Sequence, residues 1–384
     1  MGSMAKTRVH IPQSGDDLTP AWFSETLDGK VLAVERSVIG AGIGFIGELH
    51  RCELTWADSG DGRPDSVVVK IPAVANHGIG EASQAYEREI VVYRELGGRF
   101  GIPMPEYHYS EFDPNPAARL KSFVLFLFEK LPVNAVNWLL LKFLGLSDKS
   151  RRRYLLMMED IRDSRPPAQA VGGSIDDAKL ALDVLAAFHA HNWMRREVSD
   201  VSDLFWPLEQ TPKVWQAGYL RNREQLENDF GHLLSDAVLA KLDDVQSRIP
   251  EIMGHLGSAP WTMLHGDYRL DNILFRPSGE LVVLDFQAVG QGRAGWDVAY
   301  FITTALTPDH RVEEESLLRR YHDALVSEGV SDYSYEVLIE DVELAKLAMT
   351  HRFIGGIDAL DTQMADGDDT FLVVMIERIL GWID

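Results

Sequence analysis

Residues 263–287 constrain the fold of this chain more than any other segment. Asp267 precedes Asn272 by five residues, and a second carboxylate, Asp285, follows after a further apolar run. Short apolar runs typical of strands flank both polar turns. The segment is therefore predicted to fold as small hairpins whose turns carry two carboxylates and one amide to the same cleft.

The side chains of this segment suit phosphoryl transfer. Asp267 is predicted to accept or orient the proton of an attacking hydroxyl. Mg²⁺ prefers a few protein oxygen ligands together with phosphate oxygens, so Asn272 and Asp285 are predicted as metal ligands. His265 is predicted to support the loop through hydrogen bonds rather than to react. Asp297 either holds the same loop, which is favoured, or provides a simple charge at a helix N-terminus.

Two other interpretations of the histidines and aspartates are weaker. His189 and His191 resemble a metal-binding pair, but residues two apart on a helix face different directions, so packing roles are favoured. A metallophosphoesterase would need several histidines gathered from separate loops, and the sequence shows no second cluster of histidine and aspartate.

A glycine-rich segment, residues 42–47, lies between two strand-like runs. The pattern GxGxxG alone is a weak signal, and its dinucleotide-binding form must open a helix. A glycine loop that joins two strands is typical instead of kinases, in which a hairpin folds over nucleotide phosphates. The residues predicted to bind the phosphates are Gly42, Gly44, Phe45, Ile46 and Gly47, with an ordinary glycine hairpin as the alternative.

Lys70 closes an apolar strand-like run 23 residues after Gly47. A lysine at such a place must reach solvent or be paired. In kinases the corresponding lysine binds the α- and β-phosphates and is held by a helix glutamate. Glu89 is predicted as that partner, because Glu87 lies two residues away and faces elsewhere on a helix. A surface lysine at a strand end is the alternative.

The order of predicted elements indicates an α+β protein of two lobes. Strands cluster in residues 1–160, the predicted N-lobe, and helices dominate residues 161–384, the predicted C-lobe. Within an apolar segment at 120–150, residues 123–128 are predicted as a strand and 134–146 as an amphipathic helix. This segment looks inserted, and core packing with a dimer contact is favoured over a lid above the substrate.

Composition narrows the classes of partner. The chain of 384 residues has a net charge of −22, a field that repels nucleic acid and anionic membranes. The negative charge is compatible with electrostatic attraction of a cationic substrate, or it simply keeps the protein soluble. A single cysteine, Cys52, precludes an intramolecular disulfide and fits a cytoplasmic location. No apolar run reaches the length of a bilayer span.

The chain resembles the aminoglycoside phosphotransferase and choline kinase superfamily, and within it the ecdysteroid-kinase-like branch. The resemblance runs in the expected order through the glycine loop, Lys70 with Glu89, Met158-Glu159-Asp160, the two C-terminal motifs at 265–275 and 285–287, and Asp297 to Tyr300. It implies a bilobal protein-kinase-like fold and ATP-dependent phosphorylation of a small-molecule hydroxyl.

The same resemblance implies where the adenine lies. Met158, Glu159 and Asp160 would form the hinge between the lobes and run along the base. Residues 125–130 are a rival strand for the hinge, because the apolar segment before it looks inserted.

One departure separates the chain from protein kinases. Asp285-Phe286-Gln287 replaces their Asp-Phe-Gly, and only 12 residues separate Asp285 from Asp297, too few for an activation segment. The favoured hypothesis is an ATP- and Mg²⁺-dependent kinase of small molecules; the alternative is a catalytically silent, nucleotide-binding regulatory protein. The acceptor is either a hydrophobic, steroid-like alcohol, which is favoured, or an amine such as an aminoglycoside or choline. A homodimer is left open.

Overall fold

A five-stranded sheet and a larger set of helices make up the protein. The computed structural model describes residues 9–40, 47–58, 62–73, 77–116, 118–165, 169–356 and 370–383. The sheet has the order β1-β2-β3-β5-β4 and is antiparallel throughout. Its strands are β1 (Val31–Ile39), β2 (Gly47–Trp56), β3 (Ser66–Pro72), β4 (Tyr107–Phe112) and β5 (Tyr154–Glu159).

Helices flank this sheet and form most of the rest of the chain. Those before or within the sheet region are α1 (Pro20–Thr26), α2 (His77–Ala82), α3 (Ala85–Val91), α4 (Ala118–Phe128) and α5 (Val133–Ser147). Those after it are α6 (Ile175–His191), α7 (Arg196–Ser199), α8 (Pro212–Phe230), α9 (Asp236–Leu256), α10 (Gly295–Ala305), α11 (Glu314–Ser327), α12 (Tyr335–Gly356) and α13 (Thr370–Ile383).

Two small strand pairs lie within the helical part. β6 (Thr262–Leu264) pairs with β9 (Gly290–Gly292), and β7 (Ile273–Phe275) pairs with β8 (Leu281–Val283). The β7–β8 pair is a hairpin of the kind predicted from the apolar runs around the Asp and Asn turns, whereas β6 and β9 pair with each other across the segment that contains this hairpin. The α+β layout, with a β-rich first part and a mainly helical second part, is therefore confirmed, whereas the predicted division between residues 160 and 161 stays a prediction.

The apolar residues of β3 explain its position in the middle of the sheet. Val67 and Val69 are fully buried on one face, among side chains of β2, β5 and α1, while Val68 joins the larger core on the other face. A strand buried on both faces reads as a continuous apolar run, as residues 67–69 do. Lys70 follows that run and is thereby carried to the edge of the core.

The apolar segment before the hinge differs from one of its predictions. Residues 123–128 belong to the helix α4 rather than to a strand, and the helix predicted at 134–146 is present as α5. Short apolar runs do not distinguish a strand from a buried helix, which explains the error. Because residues 125–128 are helical and 129–130 form a turn, the rival hinge strand at 125–130 is wrong, and β5 is the strand paired with β3.

The α4–α5 pair is only partly a core element. Phe128 and Val136 are buried in a small cluster with a residue of α8, whereas Phe123, Phe126 and Trp138 are more than half exposed. Core packing is thus confirmed for one face. In the described part of the chain, no helix is long and apolar enough to cross a membrane.

Candidate active site

Lys70 forms the centre of a charged cluster between the sheet and the hairpins. Its Nζ lies 2.9 Å from Glu89 Oε1 and 3.2 Å from Asp285 Oδ1. Glu87 faces away, and its Oε1 lies 2.7 Å from Arg152 Nη1. The predicted pairing of Lys70 with Glu89 rather than Glu87 is therefore present, and Asp285 joins it from a segment 215 residues away.

Burial controls the ionisation of this cluster. Burial alone would lower the pKa of Lys70, but the charges of Asp285 and Glu89 outweigh it and raise the pKa above its usual value. Burial also raises the pKa of Glu89 to about 7; the Lys70 charge opposes this rise, and the Asp285 charge adds to it. Lys70 thus stays cationic at neutral pH, as phosphate binding requires.

The residues predicted to bind the phosphates lie mostly outside the described part of the chain: Gly42, Gly44, Phe45 and Ile46. Gly47 is described and begins β2 next to Lys70. A Cβ at position 47 would lie 2.7 Å from Lys70 Cε, so a larger residue would force the lysine side chain to shift. Glycine at this place therefore suits the position that Lys70 takes.

Asp297 holds the loop that carries Asp267. Its carboxylate is fully buried at the start of α10 and accepts hydrogen bonds from the backbone N–H groups of His265, at 2.7 Å, and Gly266, at 2.9 Å. A buried carboxylate that accepts backbone N–H groups fixes a loop firmly. Gly266 has φ +78°, and a Cβ there would lie 2.2 Å from the carbonyl oxygen of Ala288. These contacts match the favoured prediction that Asp297 holds the loop.

His265 connects the two polar turns. Its Nε2 lies 2.9 Å from the carbonyl oxygen of Leu284, and its Nδ1 lies 3.3 Å from the backbone N of Asp267. The ring also packs 5.2 Å from the ring of Phe286. These contacts match the prediction that His265 supports the loop through hydrogen bonds.

Asp267 is a partly exposed carboxylate in a strongly basic setting. Arg269 Nε lies 3.3 Å from Asp267 Oδ2, and Arg269 Nη1 lies 2.8 Å from Asp271 Oδ2. Burial would raise the pKa of Asp267, but the Arg269 charge, a hydrogen bond with Tyr300 and the Arg352 charge together hold it below its usual value. The carboxylate is therefore ionised at neutral pH and free to accept a hydroxyl hydrogen.

The β7–β8 hairpin brings Asn272 and Asp285 together. Ile273 lies opposite Val283, and the backbone N–H of Leu284 donates to the carbonyl oxygen of Asn272 at 2.8 Å. Asn272 Nδ2 donates to Asp267 Oδ2 at 3.1 Å, an arrangement that leaves the amide Oδ1 as the remaining side-chain acceptor.

Asp285 adopts an uncommon backbone conformation. Its φ of 64° and ψ of 72° place a non-glycine residue in the left-handed region, which costs on the order of 1–3 kcal/mol and is concentrated at functional sites. Phe286 anchors the strained turn, since its ring is fully buried against Tyr93 and Phe100.

Asn272 and Asp285 have the chemistry that a magnesium ion needs. Both offer oxygen ligands, and Mg²⁺ usually takes one or two protein carboxylates and completes its shell with phosphate oxygens and water. A group of three or more His, Cys, Asp or Glu residues suited to a metal is absent from the described residues. A dedicated all-protein metal cage is therefore not present there, whereas the sparse donor pair fits an ion shared with a nucleotide.

The predicted hinge residues lie at the end of β5. Met158 is buried in the main core, and Glu159 Oε1 lies 3.2 Å from Arg276 Nη2 of the β7–β8 hairpin. Asp160 is bound by Arg51 and Arg162, so its side chain ties β2 to the segment after β5. The side chains of Glu159 and Asp160 are thus engaged within the protein, and contact with the adenine stays a prediction.

His189 and His191 do not form a metal pair. His189 is fully buried, with Nδ1 2.6 Å from the Tyr321 hydroxyl and Nε2 3.2 Å from Asp297 Oδ2. His191 is exposed and contacts Arg195. The prediction of packing roles is confirmed, and His189 additionally supports the carboxylate that holds the Asp267 loop.

A cavity of about 460 Å³ opens beside Asp267 and Asp285. Its polar lining residues include three that the sequence did not predict for the site and that lie around Asp267: Arg269, Tyr300 and Arg352. Arg269 lies between Asp267 and Asp271 in the sequence, and Tyr300 follows Asp297 by three residues. Their closeness to predicted site residues could therefore have indicated both of them. Arg352 lies on α12 with no motif around it, and only the tertiary structure brings it to the site.

Several solved structures share this fold. They are a candidate aminoglycoside phosphotransferase from Ralstonia eutropha JMP134 (15% identity, 94% of this chain and 95% of that chain covered, TM-score 0.52), macrolide 2′-phosphotransferase type I (13%, 96% and 97%, 0.50) and macrolide 2′-phosphotransferase MphH from Brachybacterium faecium (12%, 95% and 98%, 0.50). At these identities the likeness establishes the fold, which confirms the predicted bilobal protein-kinase-like class.

Comparison at the sequence level identifies the family. The curated proteins contain no significant match to this sequence. Residues 41–330, by contrast, match the ecdysteroid kinase-like family, a stretch that includes the glycine loop, Lys70, Glu89 and the whole of the Asp267 to Asp297 region. The match covers most of the chain and agrees with the fold of the similar structures, and the chain therefore belongs to the ecdysteroid kinase-like family.

Proposed function

We propose that the protein transfers the γ-phosphoryl group of ATP, with Mg²⁺, to a hydroxyl group of a small molecule. The observation that carries this proposal is a connected set of contacts: Asp285 meets the Lys70–Glu89 pair, and Asn272, whose carbonyl oxygen is bonded by the residue before Asp285, contacts Asp267. Their residue types are those that phosphoryl transfer requires, and they come from segments far apart in the sequence.

Lys70 is assigned to the nucleotide phosphates. Its ammonium group is held by Glu89 and Asp285 in a setting that keeps it cationic. The glycine loop at 42–47 and the hinge at Met158 to Asp160 are assigned to the rest of the nucleotide, on the strength of their sequence positions.

Asn272 and Asp285 are assigned to the metal. A bound Mg²⁺ would neutralise charge on the phosphates and orient the γ-phosphoryl group. The strained backbone of Asp285 directs its carboxylate into the cleft, where Lys70 is its partner in this structure. Binding of a metal ion would replace one favourable charge contact of Asp285 with another.

Asp267 is assigned to the acceptor hydroxyl. Its lowered pKa makes it a weak base, which suits a loose transition state in which the hydroxyl needs orientation more than early deprotonation. Arg269 and Asn272 Nδ2 both contact Asp267 Oδ2, and Tyr300 also hydrogen-bonds this carboxylate, so these three side chains orient it toward the cavity in which the acceptor would bind. The carboxylate takes the proton as the bond to phosphorus forms.

Substitution of Asp267 tests the function. We expect Asp267→Asn to lose at least about 10²-fold in kcat with any accepted substrate, the usual contribution of general-base catalysis. Its affinity for ATP and Mg²⁺, measured by calorimetry, should stay within a factor of about three, because Asp267 is assigned no contact with the nucleotide. Normal turnover in this variant would refute the assignment.

A screen of hydroxyl compounds separates catalysis from silent binding. Wild-type protein with ATP and Mg²⁺ is incubated with a library of alcohols, and phosphorylated products are detected by mass spectrometry. A product that Asp267→Asn does not form supports the kinase. Binding of ATP without product from any alcohol would instead favour the regulatory alternative.

A further inference from the structure

Aromatic side chains form part of the walls of the cavity beside Asp267. Its lining includes Trp206, Trp215, Trp296, Tyr300 and Phe353, with aliphatic side chains between them. Such walls bury flat apolar surface, and aromatic rings pack against other rings with favourable geometry. An acceptor that fills this cavity of about 460 Å³ therefore has an apolar framework with a ring.

The charges on the described residues that line the cavity do not favour an amine. Among the described residues that line it, Asp267 and Asp285 are the carboxylates, and the cations are Arg88, Arg269 and Arg352. Both carboxylates already have roles in the proposed reaction. A substrate ammonium group would meet three guanidinium groups and no additional carboxylate in this lining, which disfavours its binding.

Two of the three arginines are fully engaged within the protein. Arg88 donates from all three nitrogens to the carbonyl oxygens of Leu204, Gln287 and Ser83. Arg269 pairs with two aspartates beside it, as described above. These arginines therefore stabilise the structure around the site and are not assigned to ligand binding.

Arg352 differs from both. Its Nη1 donates to the carbonyl oxygen of Gly266 at 3.0 Å, and its guanidinium lies 5.7 Å from the ring centres of Trp215 and Tyr300. Within the described part of the chain, its Nε and Nη2 have no hydrogen-bond acceptor and it forms no ion pair. A half-buried guanidinium with a free edge in a cavity is a fork suited to a carboxylate.

We propose that the acceptor is an arylalkyl hydroxy acid whose carboxylate is bound by Arg352. This rests on the proposed function, since it assigns the hydroxyl of that acid to Asp267. Gly266, which Arg352 contacts, immediately precedes Asp267. The carboxylate and the hydroxyl of the acceptor therefore lie only a few bonds apart, with the ring against the aromatic walls.

Matched ligands test the charge preference directly. Tropic acid and mandelic acid each carry a ring, and in both the hydroxyl and the carboxylate lie only a few bonds apart. Each acid is compared with its methyl ester and with the analogue that has an aminomethyl group in place of the carboxylate. Calorimetry without nucleotide measures their dissociation constants for the wild-type protein, Arg352→Gln and Arg352→Lys. Arg319→Gln, a change in an exposed arginine of α11, serves as the control.

We expect at least one acid to bind wild type about tenfold or more tightly than its ester, the usual value of a charge-assisted hydrogen bond. Arg352→Gln should remove that preference while the ester binds as before, Arg352→Lys should restore part of it, and the Arg319→Gln control should bind like wild type. If Arg352 only supported the loop through Gly266, its loss would weaken the binding of acid and ester alike.

Three results would overturn the proposal: no acid binding better than its ester, an amine binding best, or equal weakening of acid and ester in Arg352→Gln. Failure of the proposed function looks different. In that case the acid binds with full dependence on Arg352, but ATP and Mg²⁺ convert neither it nor any other alcohol to a phosphorylated product.

Discussion

The carboxylate of Asp297 accepts the backbone N–H of His265 at 2.7 Å, although the two residues lie 32 positions apart. The same carboxylate accepts the N–H of Gly266 and contacts His189, and all of these groups are buried. The position of the Asp267 loop thus depends on a residue that lies at the start of a helix and has no assigned contact with substrate.

Removal of the Asp297 carboxylate should therefore damage both stability and activity. Asp297→Ala leaves two backbone donors and His189 without their buried acceptor. We expect a loss of about 2–5 kcal/mol in the free energy of unfolding, measured by urea denaturation, and a fall in kcat in the fraction that stays folded. Asp176→Ala, a change of a highly exposed carboxylate on α6, should cost less than about 0.5 kcal/mol. Equal effects of the two changes would contradict this role of Asp297.

The pairing of Lys70 can be measured with a double-mutant cycle. Lys70→Met and Glu89→Gln should show an interaction free energy of about 1.5–3 kcal/mol, since both groups are buried and share a charged hydrogen bond. The readouts are urea denaturation and the dissociation constant for a non-hydrolysable ATP analogue with Mg²⁺. Glu87→Gln is the matched control on the same helix.

Glu87 contacts Arg152 instead of Lys70. The cycle of Lys70→Met with Glu87→Gln should accordingly give an interaction free energy within about 0.5 kcal/mol of zero. A larger coupling to Glu87 than to Glu89 would show that the pairing in solution differs from the one described.

Glu89 should make stability depend on pH. Burial raises its pKa in the folded protein to about 7, above the usual value of 4.5. Between these two values the folded protein binds more protons than the unfolded chain. The stabilisation from protonated Glu89 is therefore complete below about pH 4.5 and is lost as the pH rises through about 7.

Urea denaturation of wild type and Glu89→Gln across this range measures the effect. Glutamine mimics the protonated carboxyl, and the difference between the two proteins cancels the contributions of all other titrating groups. The free energy of unfolding of wild type should fall relative to the variant as the pH rises. A constant difference, or a rise, would place the pKa of Glu89 near its usual value.

Gly266 and Gly279 offer a comparison of two glycines with positive φ. Alanine at either position must adopt φ near +78° or +87°, at a cost of about 1–2 kcal/mol. At Gly279 the added Cβ would meet nothing within 4 Å, but at Gly266 it would lie 2.2 Å from the carbonyl oxygen of Ala288.

We therefore expect Gly266→Ala to lose at least about 1–3 kcal/mol more stability than Gly279→Ala, the usual cost of overpacking. It should also lose activity, because the Asp267 loop must move, whereas Gly279→Ala should keep its kcat. Thermal and urea denaturation with a turnover assay make the comparison. Similar kcat values for the two variants would show that the loop tolerates the shift.

The α4–α5 segment shows a case in which the sequence pattern does not predict the type of secondary structure. Residues 123–128 form six apolar or aromatic positions in a row, a pattern equally compatible with a strand and a helix. The sheet has its own partners for β3, namely β2 and β5, and leaves no edge there for another strand. The helix forms because its apolar face packs against α5 and α8.

Local spacing by itself determined the chemistry of the site and the class of fold. Asp267, Asn272 and Asp285 flank the single hairpin β7–β8, whose short strands bring Asn272 and Asp285 together. The spacing of Gly47, Lys70 and Glu89 predicted the pairing for the same reason, since strand and helix periodicity decide which way each residue faces.

Tertiary structure decided what surrounds that chemistry. Asp285 reaches Lys70 across 215 residues, and Arg352 reaches Gly266 across 86, along α12 and with no sequence pattern around it. Contacts of this kind depend on how whole helices and hairpins pack, which periodicity within a single segment does not encode. The spacing of Asp267, Asn272 and Asp285 could therefore be recognised within one segment of the sequence, whereas their meeting with Lys70 and the position of Arg352 depend on the packing of distant elements.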